Sequence, residues 1–271
     1  MMRLPVRIFS DVHLGHRASR VTDTEQLRPL IAGAGTVIFN GDTWEELARP
    51  WRERSQEMLG ELKEMLNQEG CDSIFVPGNH DPHWQYPRYL SLAEGRIVIT
   101  HGDALLRDSS PWKREILANQ EVIDQIWNEN PNAEIDLDAR LKVANQIATR
   151  LQSIEHTKSR RYYSRVIDAA LPPKRALAML SAWIQQGRHG ADFCEQYLEK
   201  AEFLVIGHFH HAVVRKNKGK TIINTGSFVV PGPARWVSWD GKFLETGRVL
   251  EKGGPCSLGG KSHTWNLIKK S

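Results

Sequence analysis

Short apolar runs alternate with helical patterns along most of the chain. Seven runs of four or five residues, each bounded by polar or glycine-containing turns, have the pattern of buried strands. They cover residues 6–10, 36–40, 73–77, 96–100, 203–206, 221–224 and 236–239. Between the second and third runs, residues 52–69 repeat apolar side chains at the spacing of one helix face. This alternation predicts an α/β fold built from strand–helix–strand units.

The stretch from about residue 105 to residue 200 has a different pattern. It contains no strand-like run but four helical segments, over residues 111–128, 136–154, 159–170 and 176–186. We interpret this stretch as a helical insertion, or cap, within a single domain that covers residues 1–271. Residues 253–271 are rich in Gly, Ser and Lys and are expected to form a flexible tail.

Composition and charge limit the class of protein. Of 271 residues, 40% are hydrophobic and 25% are charged, which argues against disorder and against a coiled coil. No apolar stretch approaches the ~20 residues of a membrane-spanning helix, and Arg7 and Asp11 come too early for a signal peptide. Three widely spaced cysteines favour a reducing compartment, so we expect a cytoplasmic location. Ten basic residues against two acidic ones between residues 140 and 188 could contact phosphate-rich ligands or a membrane surface.

Residue types that bind metals directly follow five of the predicted strands. In chain order they are Asp11 and His13, then Asp42, then Asn79, His80 and Asp81, then His101, and finally His208 and His210. In an open α/β sheet, ligands bind beyond the carboxyl ends of the strands, so these five loops can converge. Alternate residues of an extended segment share a face, so each closely spaced pair can direct two donors to one point. The pattern predicts a metal site.

Five short motifs resemble, in the same order, those of the calcineurin-like metallophosphoesterases. They are Asp11-Val12-His13, Gly41-Asp42, Gly78-Asn79-His80-Asp81, His101-Gly102-Asp103 and Gly207-His208-Phe209-His210. The resemblance implies a four-layer α/β/β/α sandwich, in which two sheets are flanked by helices and the cap is inserted. It also implies a metal-dependent phosphoric ester hydrolase.

The same resemblance implies two divalent ions and assigns their ligands. One ion would take Asp11, His13, Asp42 and His210, and the other would take Asp42, Asn79, His101 and His208. Asp42 would bridge the ions because a carboxylate has two oxygens to share. Mixed imidazole and carboxylate ligation suits Mn, Fe, Zn or Ni better than Ca, and we expect Mn. Two ions about 3.5–4 Å apart would hold a hydroxide for in-line attack on phosphorus.

Four more residues receive roles from the resemblance. His80 would lie over the phosphate and stabilise charge or protonate the leaving oxygen. Glu45 would complete the catalytic pair by orienting His80, although Glu46 could substitute and an exposed carboxylate at a helix start is the alternative. Asp81 and Asp103 would brace the loops or the metal-binding histidines from behind.

Three details resemble the UDP-2,3-diacylglucosamine hydrolases of lipid A synthesis. They are Asp11-Val12-His13-Leu14, Gly41-Asp42-Thr43-Trp44-Glu45, and His101-Gly102-Asp103-Ala104-Leu105 followed by Asp108. A cap with apolar and basic faces would suit a lipid-precursor substrate with acyl chains and a pyrophosphate, and would allow peripheral membrane contact. Those enzymes commonly carry arginine where His80 stands. A general phosphodiesterase or phosphatase acting on a phosphorylated small molecule is therefore the alternative.

Two further classes are less favoured. A nuclease would grip the phosphate backbone with the basic segments, but the sequence shows no nucleic-acid-binding motif. A non-catalytic scaffold should have lost ligands, and all seven are present. Three tryptophans of the cap, Trp112, Trp127 and Trp183, could form an apolar wall or an interfacial surface.

Overall fold

A computed structural model describes residues 2–151, 173–251 and 254–268. Its strands are β1 (Val6–Phe9), β2 (Thr36–Asn40), β3 (Asp72–Val76), β4 (Tyr89–Leu92), β5 (Ile97–Thr100), β6 (Phe203–Ile206), β7 (Val213–Asn217), β8 (Lys220–Asn224), β9 (Arg235–Trp239), β10 (Phe243–Leu250) and β11 (Ser257–Asn266). Its helices are α1 (Arg28–Ile31), α2 (Arg52–Gln68), α3 (Arg114–Ala118), α4 (Gln120–Glu129), α5 (Leu137–Leu151) and α6 (Pro173–Tyr197).

The strands form two sheets. The first has the order β11-β10-β9-β1-β2-β3, and the second has the order β4-β5-β6-β8-β7. In the first sheet β1, β2 and β3 are parallel, and in the second β5, β6 and β8 are parallel. The carboxyl ends of adjacent parallel strands lie at the same edge of a sheet. The loops after β1, β2 and β3 therefore start side by side, as do those after β5 and β6.

An apolar layer lies between the two sheets. Val6 and Ile8 of β1 point into this layer and share a buried cluster with Ile99 of β5. Because side chains alternate along a strand, Phe9 points the other way, where it packs with Leu62 of α2. The outer face of the first sheet is thus covered by helix α2.

The cap covers the outer face of the second sheet. Val98 and Leu204 on that face share a buried cluster with Leu141 of α5 and Phe193 of α6. Helix, sheet, sheet and helix follow one another through the molecule. The four-layer sandwich implied by the motifs is therefore confirmed.

All seven predicted strands form, and each end lies within one residue of the predicted position. The helices predicted over 52–69, 111–128, 136–154 and 176–186 correspond to α2, to α3 with α4, to α5 and to α6. The helix predicted over 159–170 lies outside the described residues. None of the helices in the described ranges is long and apolar enough to cross a membrane.

Part of the segment predicted as a flexible tail, residues 253–271, is instead ordered. Ser257–Asn266 forms β11, an edge strand that pairs with β10. The flanking residues Cys256 and Leu267 are buried. A strand rich in Gly and Ser depends on backbone hydrogen bonds rather than apolar side chains, so the hydropathy pattern does not reveal it.

Candidate active site

The loops after β1, β2, β3, β5 and β6 bring the predicted metal-binding side chains together. Five of these residues have a left-handed backbone: φ is 51° at Asp11, 49° at His13, 51° at Asp42, 65° at His208 and 51° at His210. A residue with a Cβ atom loses about 1–3 kcal/mol in such a conformation. Strain concentrated in this way is typical of a functional site, where the surrounding structure fixes the direction of each side chain.

The first group of donors is Asp11, His13, Asp42 and His210, whose candidate ligand atoms all lie within 4.8 Å of one another. Nε2 of His210 is 3.2 Å from Oδ1 of Asp11 and 3.2 Å from Nε2 of His13. Nε2 of His13 is 3.8 Å from Oδ2 of Asp42. Two carboxylates and two imidazoles around one point fit a transition-metal site.

The second group of donors shares Asp42 with the first and adds His101 and His208. Nε2 of His101 is 3.4 Å from Oδ2 of Asp42 and 3.3 Å from Oδ1 of Asn79. The structure thus places Asn79 beside the second group. Oδ2 of Asp42 faces both His13 of the first group and His101 of the second, so Asp42 is the donor that two neighbouring ions could share.

Three of the histidine rings are fixed by hydrogen bonds to oxygen atoms outside the two donor groups. Nδ1 of His13 is 2.7 Å from Oε1 of Glu45, and Nδ1 of His101 is 3.0 Å from a backbone carbonyl oxygen of β2. Both rings donate through Nδ1, which leaves Nε2 free to bind a metal ion. His208 is held the other way round, because its Nε2 is 3.0 Å from the carbonyl oxygen of Ser109. Its free ligand atom is therefore Nδ1.

Glu45 joins the first donor group to His80. Its Oε2 accepts a hydrogen bond of 2.8 Å from Nδ1 of His80, while Oε1 accepts one from His13. Burial acts to raise the pKa of Glu45, but the charge of His80 and the hydrogen bonds from both histidines hold that pKa well below its usual range. Glu45 is 1% exposed and precedes α2, so it is not an exposed carboxylate at a helix start. Glu46 pairs with His83 instead.

Asp81 ties the loop after β3 to the loop after β2. It accepts backbone N–H bonds from Asp42 and Gly78, each at 2.9 Å. Burial and the neighbouring charge of Asp42 raise the pKa of Asp81 to about 7. Asp103 accepts a hydrogen bond of 2.7 Å from Arg88 and so anchors the loop after β5 to the segment before β4.

The charges of the donors depend on one another. Burial acts to raise the pKa of Asp42, but the charges of His101 and His80 hold it well below its usual range. Burial acts to lower the pKa of His101, but Asp42 raises it to about 10. Burial and the charge of His101 lower the pKa of His208 to about 4. Buried, ionised carboxylates beside imidazoles are the donor chemistry that divalent cations require.

A cavity of about 800 Å³ opens over the donor groups. Its floor includes Asp42, Asn79, His208 and His210, and His80 lines the wall beside them. Its walls are mainly apolar and include Trp112, Ala176, Met179, Trp183, Phe209, Val229, Val230, Pro231 and Pro233. Two of the three cap tryptophans therefore face this cavity, whereas Trp127 stacks against Arg140, with the guanidinium 4.6 Å from its ring centre.

Lys113 is a polar wall residue that sequence reasoning missed. Its Nζ is 3.1 Å from Nε2 of His80, and burial lowers the pKa of its ammonium group. Lys113 belongs to the cap and lies in no motif. In the sequence Lys113 is one of three cations that follow His101 within fifteen residues, with Arg107 and Arg114, and nothing in the pattern distinguishes it from the other two.

A family model described as calcineurin-like phosphoesterase matches residues 4–212. The chain belongs to this family. Family membership and the two donor groups together make the protein a metal-dependent phosphoester hydrolase that uses divalent ions and acts on a phosphorylated substrate. No curated protein matches the chain at a significant level.

Three solved structures illustrate what this calcineurin-like phosphoesterase resembles. A dimetal phosphatase from Danio rerio is 12% identical with a TM-score of 0.47, over 90% of this chain and 95% of that chain. The phosphoesterase Yfce from E. coli is 15% identical with a TM-score of 0.41, over 97% of this chain and 100% of that chain. Zinc-bound Vps29 from Entamoeba histolytica is 14% identical with a TM-score of 0.43, over 97% of this chain and 99% of that chain.

Gly207 of this phosphoesterase provides a test of the first donor group. A Cβ atom at this position would overlap Oδ2 of Asp11 and Oγ of Ser10. Gly207→Ala is therefore expected to displace the Asp11 carboxylate and to weaken metal binding ~10–100-fold, as loss of a supporting contact does. Mn²⁺ titration of the metal-free protein measures this effect.

Gly60→Ala is the matched control for Gly207→Ala. Gly60 lies in α2, where an added Cβ atom meets no other atom within 4 Å. This substitution is expected to stabilise the fold by about 0.5–1 kcal/mol and to leave Mn²⁺ affinity unchanged. Wild-type Mn²⁺ affinity in Gly207→Ala would contradict the role of Asp11.

Proposed function

We propose that the protein hydrolyses a phosphoester or pyrophosphate bond at a two-metal centre. One ion would be held by Asp11, His13, Asp42 and His210, and the other by Asp42, Asn79, His101 and His208. The observation that carries this proposal is that two donor groups share Asp42 on the floor of a cavity. When bound, two divalent ions supply Lewis acidity and activate a water molecule for attack on phosphorus. The donor set suits Mn, Fe, Zn or Ni, and we propose Mn.

His80 acts from the wall beside this centre. Glu45 holds its Nδ1, so Nε2 is the ring atom directed away from the carboxylate. With a proton on Nε2, His80 can stabilise charge on a phosphoryl oxygen or pass that proton to the leaving oxygen. Glu45 is a positioning residue, because one carboxylate fixes both the ligand ring of His13 and the ring of His80.

The walls of the cavity favour a substrate with an apolar part. We propose a lipid precursor that resembles UDP-2,3-diacylglucosamine, whose pyrophosphate would lie on the polar floor and whose acyl chains would lie along α6.

The apolar surface of α6 continues outside the cavity through three exposed side chains, Leu177, Leu180 and Ile184, with exposures of 64%, 50% and 68%. They would support peripheral contact with a membrane at its cytoplasmic face. A general phosphodiesterase or phosphatase is the alternative, and an apolar wall makes nucleic acid the least suited substrate.

The substrate proposal is tested by UMP release from UDP-2,3-diacylglucosamine with Mn²⁺-loaded protein, beside cleavage of bis(p-nitrophenyl) phosphate. We expect both reactions. The variant Met179→Gln places an amide in the apolar wall and should reduce UMP release ~10-fold or more, while cleavage of the small diester stays near the wild-type rate. Diester cleavage without UMP release would reject the lipid substrate, and the absence of both reactions would reject a phosphodiesterase or pyrophosphatase in favour of the phosphatase alternative.

A further inference from the structure

Lys113 carries a positive charge from the cap into the catalytic cavity. It lines the same cavity as Asp42, Asn79 and His80, and its Nζ is 3.1 Å from Nε2 of His80. Nδ1 of His80 is held by Glu45, so the ammonium contacts the opposite side of the ring. An oxygen atom bound to the phosphoryl group and placed near Nε2 of His80 would lie within reach of both side chains.

The backbone of Lys113 is tied to the donor groups. Its N–H donates to the carbonyl oxygen of Ser110 at 2.9 Å, and Oγ of Ser110 is 3.3 Å from Nε2 of His208. The preceding residue, Trp112, packs its ring 5.3 Å from that of His208 and accepts a hydrogen bond of 2.8 Å from Arg175 of α6. These contacts fix the backbone of Lys113 beside His208, from which the lysine side chain extends into the cavity.

In the described residues no carboxylate lies within ion-pair distance of the Lys113 ammonium group, although the charges of Asp42 and Glu45 act on it from farther away. Across residues 2–151, 173–251 and 254–268, its hydrogen-bond partner is His80, and it forms no ion pair. Lys113 is half-buried, and an ammonium group whose hydrogen-bond partner is a ring nitrogen is stabilised further when an anion binds beside it. The cavity that Lys113 lines is where a phosphate would lie.

We propose that Lys113 is a catalytic residue that binds a phosphoryl oxygen and makes the site prefer substrates with a second negative charge. This inference rests on the proposed function and names the substrate class within it. A phosphodiester carries one negative charge, which the metal ions and His80 can neutralise. A phosphomonoester dianion or a pyrophosphate carries at least two, and the second charge would be met by the ammonium. Lys113 thereby selects monoesters and pyrophosphates over diesters.

The test compares two nitrophenyl substrates in the Mn²⁺-loaded protein. Lys113→Met removes the charge and keeps most of the side-chain volume, and Lys113→Arg keeps the charge. For Lys113→Met we expect kcat/KM to fall ~100-fold on p-nitrophenyl phosphate and less than about threefold on bis(p-nitrophenyl) phosphate, since a charged hydrogen bond is lost with one substrate only. Lys113→Arg should restore most of the monoester activity.

Lys142→Met is the matched control, because Lys142 is an exposed residue of α5 in the same cap. It should change neither activity.

Equal losses on both substrates in Lys113→Met, or no loss, would overturn the inference while the proposed function stands. A wild-type protein that cleaves only the diester would also overturn it. A wild-type protein that cleaves neither nitrophenyl substrate and releases no UMP from UDP-2,3-diacylglucosamine would overturn the proposed function and this inference together. Melting temperature and metal content are measured for every variant, and a loss of either in Lys113→Met would assign the residue a structural role.

Discussion

Replacing Asp42 with asparagine is expected to lower phosphoester hydrolysis by ~10³-fold or more, about 4 kcal/mol of transition-state stabilisation. Asp42 belongs to both donor groups, so one substitution removes a negative charge from both. Its Oδ1 accepts the backbone N–H of His80 at 2.8 Å, and its Oδ2 is 3.4 Å from Nε2 of His101. Asparagine keeps the size of the side chain but offers one oxygen and no charge. The loss should therefore appear in metal content and turnover, with the fold intact.

The measurement is turnover with Mn²⁺ together with metal content and circular dichroism. Asp240→Asn is the matched control, since Asp240 is exposed in the turn between β9 and β10 and accepts the N–H groups of Lys242 and Phe243. That variant should keep wild-type activity and metal content. Full activity and normal metal content in Asp42→Asn would disprove the bridging role.

Replacing His80 with alanine should reduce turnover ~10²–10⁴-fold, the usual range for a general acid–base or charge-stabilising side chain, while metal content stays near that of the wild type. The reason is geometric: Nδ1 of His80 is bound to Glu45, and the ring belongs to neither of the two groups that share Asp42. His80 does form a third candidate donor group with His13 and Glu45, so metal content has to be measured directly. Turnover and metal content measured on the same samples separate the two roles.

Glu45→Gln extends the test of His80. This variant should lose part of the turnover, and it should also lose metal affinity, because Oε1 of Glu45 orients the ligand ring of His13. His83→Ala is the control for removing an imidazole, because His83 is exposed and pairs with Glu46 outside the site. Loss of stoichiometric metal in His80→Ala would make His80 a ligand and contradict its assignment to the wall.

Strands that bury apolar side chains on both faces have the clearest signal in the sequence. β2 and β6 are buried along their whole length, and their sequences are short apolar runs. β7 and β11 are edge strands with exposed polar residues, and they are held by backbone hydrogen bonds to β8 and β10. Side-chain hydropathy carries no signal for that kind of stabilisation, so both strands were missed.

The donor groups could be predicted because each ligand directly follows a strand, and parallel strands bring such positions to one edge. Lys113 could not, because its place depends on how the cap folds back over His208 through Ser109 and Ser110. The apolar cavity wall has the same origin, since residues of α6 reach it only through tertiary packing. Glu45 could be predicted in part. Its spacing from Asp42 indicates that it can orient His80, but only the structure reveals that it contacts both His13 and His80.

The two donor groups that share Asp42 are expected to bind two divalent ions, and hydrolysis is expected to require both. The most direct measurement is a titration of the metal-free protein with Mn²⁺, in which bound metal and hydrolysis of a nitrophenyl phosphate ester are followed on the same samples. We predict that two ions bind per chain, that activity rises with the second, and that Asp42→Asn shows neither. Full hydrolysis in the metal-free protein, or full hydrolysis with one ion per chain, would contradict the account.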